Sequence, residues 1–179
     1  MRRFFLFAFL VGLSIAAGGC EYSAEPTFYL LKAEVQLAET SHIAEGISLA
    51  VDMPEYLNRP QLVRRTSDYT LRYDEQRRWA EPLEITLSET LAENLRNAAV
   101  RPVTITDIDE AEVVVTVRRF DDDGRFAYAE FKCTITDAKS APFWVKLKQP
   151  IDPLNLTSIA AAQSNALAEL AKKLAEKLK

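Results

Sequence analysis

An apolar run that stops at a cysteine withdraws the first nineteen residues from any globular fold. Arg2 and Arg3 precede the apolar stretch Phe4–Ile15, and the small residues Ala16-Ala17-Gly18-Gly19 lead into Cys20. A positive start, a short apolar centre and a small-residue exit are the parts of an export signal. The run is too short for a membrane span, which needs about 20 apolar residues. Small residues directly before a cysteine suit a lipoprotein signal peptidase, so Cys20 is the expected lipidation site. Several acyl chains there would hold the protein stably on a bilayer, where one chain would not. An ordinary cleaved signal followed by a chance cysteine is the other reading. Glu21 stands at the position where aspartate is the usual inner-membrane retention mark, which favours the outer membrane.

Without residues 1–19 the chain has 160 of its 179 residues left, enough for one domain. Loss of Arg2 and Arg3 takes the formal charge from −4 to −6. An acidic surface of that kind does not suit nucleic acid, whose phosphates require a basic excess. With Cys20 lipidated, Cys133 has no disulfide partner, and no zinc-type cluster of cysteines and histidines can be assembled. Cys133 alternates with Phe131 and Ile135, as a buried apolar cysteine would. Only Gly46 and Gly124 remain beyond the signal, so glycine-rich phosphate loops are excluded. His42 is the sole histidine, and no serine sits in a G-x-S-x-G elbow. The expectation is a protein that is not an enzyme, with no cofactor and no metal.

The organisation expected is a lipidated tether over residues 20–26 and one domain over 27–179. Strands are expected at Thr27–Leu31, Ile47–Val51, Gln61–Thr66, Tyr69–Tyr73, Ala111–Phe120, Phe126–Asp137 and Phe143–Leu147. Lys32–Glu45 reads as loop. The run Val113–Val117 suggests a strand covered on both faces, and Asp121-Asp122-Asp123-Gly124 reads as the turn of a hairpin. Leu83, Leu87, Leu91 and Leu95 recur every fourth residue behind Pro82, marking an amphipathic helix. Leu156, Ile159, Leu167, Leu170, Leu174 and Leu178 mark a second, with Lys172, Lys173, Lys177 and Lys179 near its C-terminus, where cations complement the helix dipole. The fold class is therefore α+β: one mainly antiparallel sheet with two long helices on one face.

Arg59, Arg64, Arg65, Arg72, Arg77 and Arg78 are the densest basic cluster in this acidic chain. Guanidinium forks of this kind suit lipid phosphates or an acidic partner; equally, they suit pairing with the nearby Asp68, Asp74 and Glu75. Trp79, at the start of the first helix, either staples the incoming loop to the core or meets a partner. The strand around Tyr69–Tyr73 offers an edge that could join neighbouring subunits.

Three blocks in order, Tyr56-Leu57-Asn58-Arg59-Pro60-Gln61, Arg65-Thr66-Ser67-Asp68 and Trp79-Ala80-Glu81-Pro82-Leu83, resemble the PqiC/YmbA family. The early strand Phe28–Leu31 and the late Ala162-Gln163-Ser164-x-Ala166-Leu167 are similar as well. These are auxiliary lipoproteins of MCE-type lipid transport systems, and the acidic Asp121–Asp123 stretch departs from their pattern. The resemblance implies a lipoprotein held on the periplasmic face of the outer membrane. Its implied partners are an MCE-domain protein that forms a lipid conduit and the inner-membrane permease or ABC transporter that serves it. Phospholipid contact and a homo-oligomeric ring are implied for some members. A lipoprotein scaffolding another envelope assembly is the alternative.

Overall fold

The computed structural model describes residues 24–36, 46–136, 141–155 and 157–178. The signal over 1–19, Cys20, His42, Leu156 and Lys179 lie outside the described residues. Eight strands and two helices follow in the order β1 (Thr27–Tyr29), β2 (Gly46–Asp52), β3 (Gln61–Ser67), β4 (Thr70–Trp79), α1 (Leu83–Asn97), β5 (Arg101–Thr104), β6 (Val113–Asp122), β7 (Phe126–Ile135), β8 (Phe143–Pro150) and α2 (Ser158–Lys177). A 3-10 turn at Glu55–Leu57 separates β2 from β3.

Strand β6 is the axis of the sheet. β7 lines one of its edges from Val113↔Ile135 to Asp122↔Ala127, with a bulge between Val117 and Arg119. Its other edge is shared. β2 runs parallel to its first half, Leu49↔Val113 to Asp52↔Thr116, and β3 meets its end through Arg64↔Asp122. Beyond these, β8 closes one side against β7, β5 another against β2, and β4 with β1 a third against β3. The long ladders β3–β4, β6–β7 and β7–β8 are antiparallel, as the hairpin patterning predicts. The short ones are parallel, so the sheet is mixed.

Both helices lie on one face of this sheet and touch each other. The leucine stripe of α1 is sealed: Leu83, Leu87, Leu91 and Leu95 are all buried. In α2 the large side chains Ile159, Leu167, Leu170 and Leu174 alternate with buried Ala160, Ala162, Ala166, Ala171 and Ala175. Those alanines let the helix approach its neighbours closely. From the sheet come Val113, Val115, Val117, Phe120, Phe131 and Cys133, each buried. Burial pushes the Cys133 thiol up to about 12, so it behaves as a small hydrophobe.

Four sequence expectations change. Val114 and Thr116 are only half buried, so β6 is covered fully on the helix face alone. β6 continues through Asp121 and Asp122, and the turn is confined to Asp123–Arg125. β4 and β8 both run further than expected, to Trp79 and Pro150. Finally, β5 is an unexpected strand, since Arg101-Pro102 reads as a helix terminator rather than a parallel partner for β2.

The ending of α1 explains how β5 arises. Ala99 adopts a left-handed φ of 65°. Ala99 N–H donates to Arg96 O at 3.1 Å, and Val100 N–H donates to Leu95 O at 2.9 Å. Buried Val100 and Leu95 supply the apolar contact of a Schellman stop. Glycine is favoured at this position, because a Cβ there crowds the carbonyl that follows. Ala99→Gly is therefore expected to stabilise the domain by about 1 kcal/mol, read as a raised urea midpoint at unchanged slope.

Candidate interaction surface

The arginines picked out from the sequence fall into three groups. Arg64 and Arg65, successive residues of β3, point to opposite faces of the sheet. On the helix side Arg64 Nε donates to Asp122 Oδ1 at 2.7 Å. On the open side Arg65 Nε and Nη2 donate to Asp121 Oδ2 at 3.1 and 3.0 Å. Arg119 Nε reaches the other oxygen of Asp121 at 2.8 Å. Both carboxylates are 1% exposed, so they need these partners, since an unpaired buried charge is costly. The arginines are thus paired, but with Asp121 and Asp122 across the sheet rather than with Asp68 nearby in sequence.

Arg77 and Arg78 do find local partners. Arg77 pairs with Asp74 at 2.7 Å and Arg78 with Glu75 at 3.0 Å, inside a bulged stretch of β4. Arg59 and Arg72 are exposed and have no ion pair among the described residues. Arg59 lies 5.8 Å from the centroid of the Tyr73 ring. Arg72 faces Arg64 directly across the β3–β4 ladder. Like charges so placed repel, and Asp122 relieves that repulsion. Trp79 is 4% exposed, its ring centroid 6.2 Å from that of Phe120, and its backbone N–H donates to Pro60 O at 2.7 Å. Its ring belongs to the core, so the reading of Trp79 as a partner contact is corrected to the staple.

A second set of residues escaped the sequence reading. The sheet face opposite the helices carries a row that crosses four strands. It starts at Arg65 in β3 and passes through Asp121 and Arg119 in β6 to Tyr128 in β7 and Lys148 in β8. The Arg119 guanidinium stacks 3.7 Å from the Tyr128 centroid, and Lys148 Nζ lies 3.9 Å from that of Phe126. Beside this row, Lys146 sits 3.4 Å from Glu130 and 5.6 Å from the ring of half-exposed Trp144. The period-two spacing of Phe126 and Tyr128, and of Trp144, Lys146 and Lys148, is the signal that could have found it. Such a face offers aromatic area and unspent cation donors, which is the chemistry of a protein or headgroup contact.

Among the described residues no group of three or more histidine, cysteine, aspartate or glutamate side chains is placed to hold a metal ion. The edges of the sheet are the other contact feature. β1 covers β4 only at Arg77–Trp79, which leaves Thr70–Gln76 without a sheet partner on that side among the described residues.

Two neighbouring carboxyls where β6 enters its turn respond oppositely to their surroundings. Burial raises the Asp122 carboxyl above its ordinary value, against the charge and hydrogen bond of Arg64 and the Gly124 N–H. Asp123 is mostly solvated. Its slight burial is outweighed by the N–H groups of Arg125 and Phe126 and by the Tyr128 hydroxyl, which hold it below the usual range.

A family model described as ABC-type transport auxiliary lipoprotein component matches residues 29–175. Among curated proteins none matches the chain. Among solved structures, the chain is similar to an uncharacterized protein at 21% identity. That match covers 87% of this chain and 100% of the other, with a TM-score of 0.63. A DUF330 protein from Xanthomonas campestris matches at 16% identity over 83% of this chain and 92% of its own, with a TM-score of 0.61. At these identities the likeness is one of fold. A PelC dodecamer from Paraburkholderia phytofirmans matches at 12% identity over 74% of this chain and 95% of its own, with a TM-score of only 0.38.

Two outcomes are expected from these contacts. Asp121→Ala leaves Arg65 and Arg119 facing each other without a counter-ion, and should cost about 3 kcal/mol by urea unfolding. A depressed folded-state carboxyl contributes stability that is present above its unfolded value and lost as pH falls through the folded one. Asp123→Asn should therefore be less stable than the wild type at neutral pH. The gap should close on acidification below the ordinary 3.8, as read from unfolding midpoints across that range.

Proposed function

Because the chain belongs to the family of ABC-type transport auxiliary lipoprotein components, we propose that it is the lipid-anchored auxiliary subunit of an MCE-type intermembrane phospholipid transporter. The observation that carries this reading is the family match, which runs through almost the whole described domain. In this role Cys20 carries the acyl chains, and the domain stands at the periplasmic face of the outer membrane. There it docks the distal end of the conduit formed by the MCE protein. The subunit itself is not an enzyme and needs no cofactor; the permease or ABC transporter at the inner membrane drives transport.

The physical features fit a docking role. Anchoring is assigned to lipid on Cys20; no described helix is long and apolar enough to cross a membrane. Contact falls to the sheet, whose helix-free face presents Trp144, Lys146 and Lys148 beside the Arg65–Asp121–Arg119 row. The exposed arginines Arg59 and Arg72 are free to meet an acidic partner or a phosphate. The open edge of β4 gives a neighbouring subunit a place to pair, as a ring would require.

Lipidated protein extracted in mild detergent should retain its MCE partner on affinity capture. Trp144→Ala combined with Lys148→Glu should lower that recovery several-fold while leaving the melting temperature close to wild type. Capture without any MCE protein, in conditions that preserve other envelope complexes, would count against transport and favour a scaffold for another envelope assembly.

A further inference from the structure

The strand directions gather several loops at one end of the domain. β3 and β6 run parallel, with Arg64 beside Asp122. The β3–β4 tip at Asp68–Tyr69 and the β6–β7 turn at Asp123–Arg125 therefore lie at the same end. β8 finishes there too: Pro150 pairs with Phe126, and Ile151 N–H donates to Arg125 O at 2.9 Å. The loop that follows leads into α2, and Arg64, Gly124, Asp152 and Ser158 line one groove at this end.

The tether comes from that side. β1 is parallel to β4, with Thr27 beside Arg77. The chain before Thr27 therefore approaches from the end at which β4 begins, which is the Tyr69 tip. Cys20 precedes Thr27 by seven residues, a reach of about 23 Å when extended. The stretch of β4 from Arg77 back to Thr70 spans the same number of residues, so acyl chains on Cys20 are within reach of the tip.

The exposure of apolar side chains singles out the same end. Tyr69 is 97% exposed and Leu154 92%, the two highest values among the large hydrophobic side chains described. Neither has a packing role, and both sit on loops at the end that the tether approaches. A phenol ring with an apolar body and a polar tip suits the headgroup level of a bilayer. Charge adds little, since Asp68, Asp122, Asp123 and Asp152 offset Arg64, Arg72, Arg125 and Lys148 there.

We propose that this end seats on the bilayer that holds the anchor, with Tyr69 and Leu154 inserted at the headgroup level. The inference rests on lipidation of Cys20. It sets the long axes of β6 and α2 across the membrane surface rather than along it, and directs the Val103 end towards the conduit. Because the end is nearly neutral, seating depends on the acyl chains and these two side chains, not on anionic lipid.

The test uses the lipidated full-length protein on phosphatidylcholine vesicles, with and without phosphatidylglycerol. Cys133 is 0% exposed, so a single added cysteine takes an environment-sensitive dye selectively. Tyr69→Cys and Leu154→Cys are compared with Val103→Cys, which is 61% exposed in the wild type and lies at the far end. The dyes at 69 and 154 should shift to the blue and be quenched by nitroxide lipid several-fold more than the dye at 103, alike in both vesicle types. Equal quenching at all three positions, or strongest quenching at 103, would overturn the orientation. Wild-type protein that fails to float with vesicles overturns the anchor together with the seat. Flotation with aqueous dyes at 69 and 154 overturns the seat alone. Dyes shielded from iodide yet untouched by lipid quencher would mean that a second copy covers the tip, which also overturns it.

Discussion

The junction between β3 and β6 rests on two buried carboxylates. In backbone terms the strands meet at one register pair, Arg64↔Asp122, which is too little to fix a three-strand wing to the rest of the sheet. The side chains supply what the ladder lacks. Asp121 and Asp122 point to opposite faces, and each is met by an arginine of β3, so the seam is clamped from above and below. Removing water from four charges is expensive, and it is recovered only because the geometry is close and the remaining acceptor sites are filled by Arg119 and the Gly124 N–H. The bulge between Val117 and Arg119 sets the phase of these residues. It rotates the strand so that Phe120 stays in the core while Arg119 and Asp121 turn to the open face.

The helix layer carries a second polar device. Asn94 is fully buried on the leucine face of α1, where an amide would ordinarily be a liability. Its Oδ1 accepts the N–H groups of Glu34 and Val35, both at 2.9 Å, and its Nδ2 donates to Thr90 O at 3.0 Å. Ser164 in α2 does the same for Lys32 N–H at 3.0 Å. The irregular segment after β1 is thus strapped across both helices by side chains that satisfy its backbone. That strap ties the tether-proximal strand to the helices, so a pull on the N-terminus is shared between sheet and helix layer.

These two devices leave the contact features of the protein at separate places. The apolar core is closed by the helices on one side of the sheet. The other side presents aromatic rings braced by cations, the β4 edge stays open, and the loop end near the tether keeps its two most exposed apolar side chains. A lipid-anchored docking subunit of the proposed kind needs these three separately: a membrane-proximal end, a surface for the partner, and an edge for a neighbouring copy.

Local periodicity made much of the architecture legible. The fourfold leucine spacing, the alternation around Cys133 and the apolar exit at Cys20 each report a property of consecutive residues, and the two helices, their common face, the β6–β7 hairpin and the buried thiol follow from it. The family blocks added the class of protein, and Trp79 showed its place beside the helix start without showing which way its ring turned. The tertiary structure decided whatever depends on residues distant in sequence. Arg64 and Arg65 pair with acids 58 and 56 residues away, and no local pattern distinguishes that from pairing with Asp68. The acidic triplet reads as a turn because aspartate favours turns, yet partly buried arginines make strand the better state for two of its three members. β5 forms because a left-handed Ala99 turns the chain beside β2. The row from Arg65 to Lys148 exists only once four strands lie side by side. Neighbours along the chain decide what each element can bury; which charges meet is settled only when the sheet is assembled.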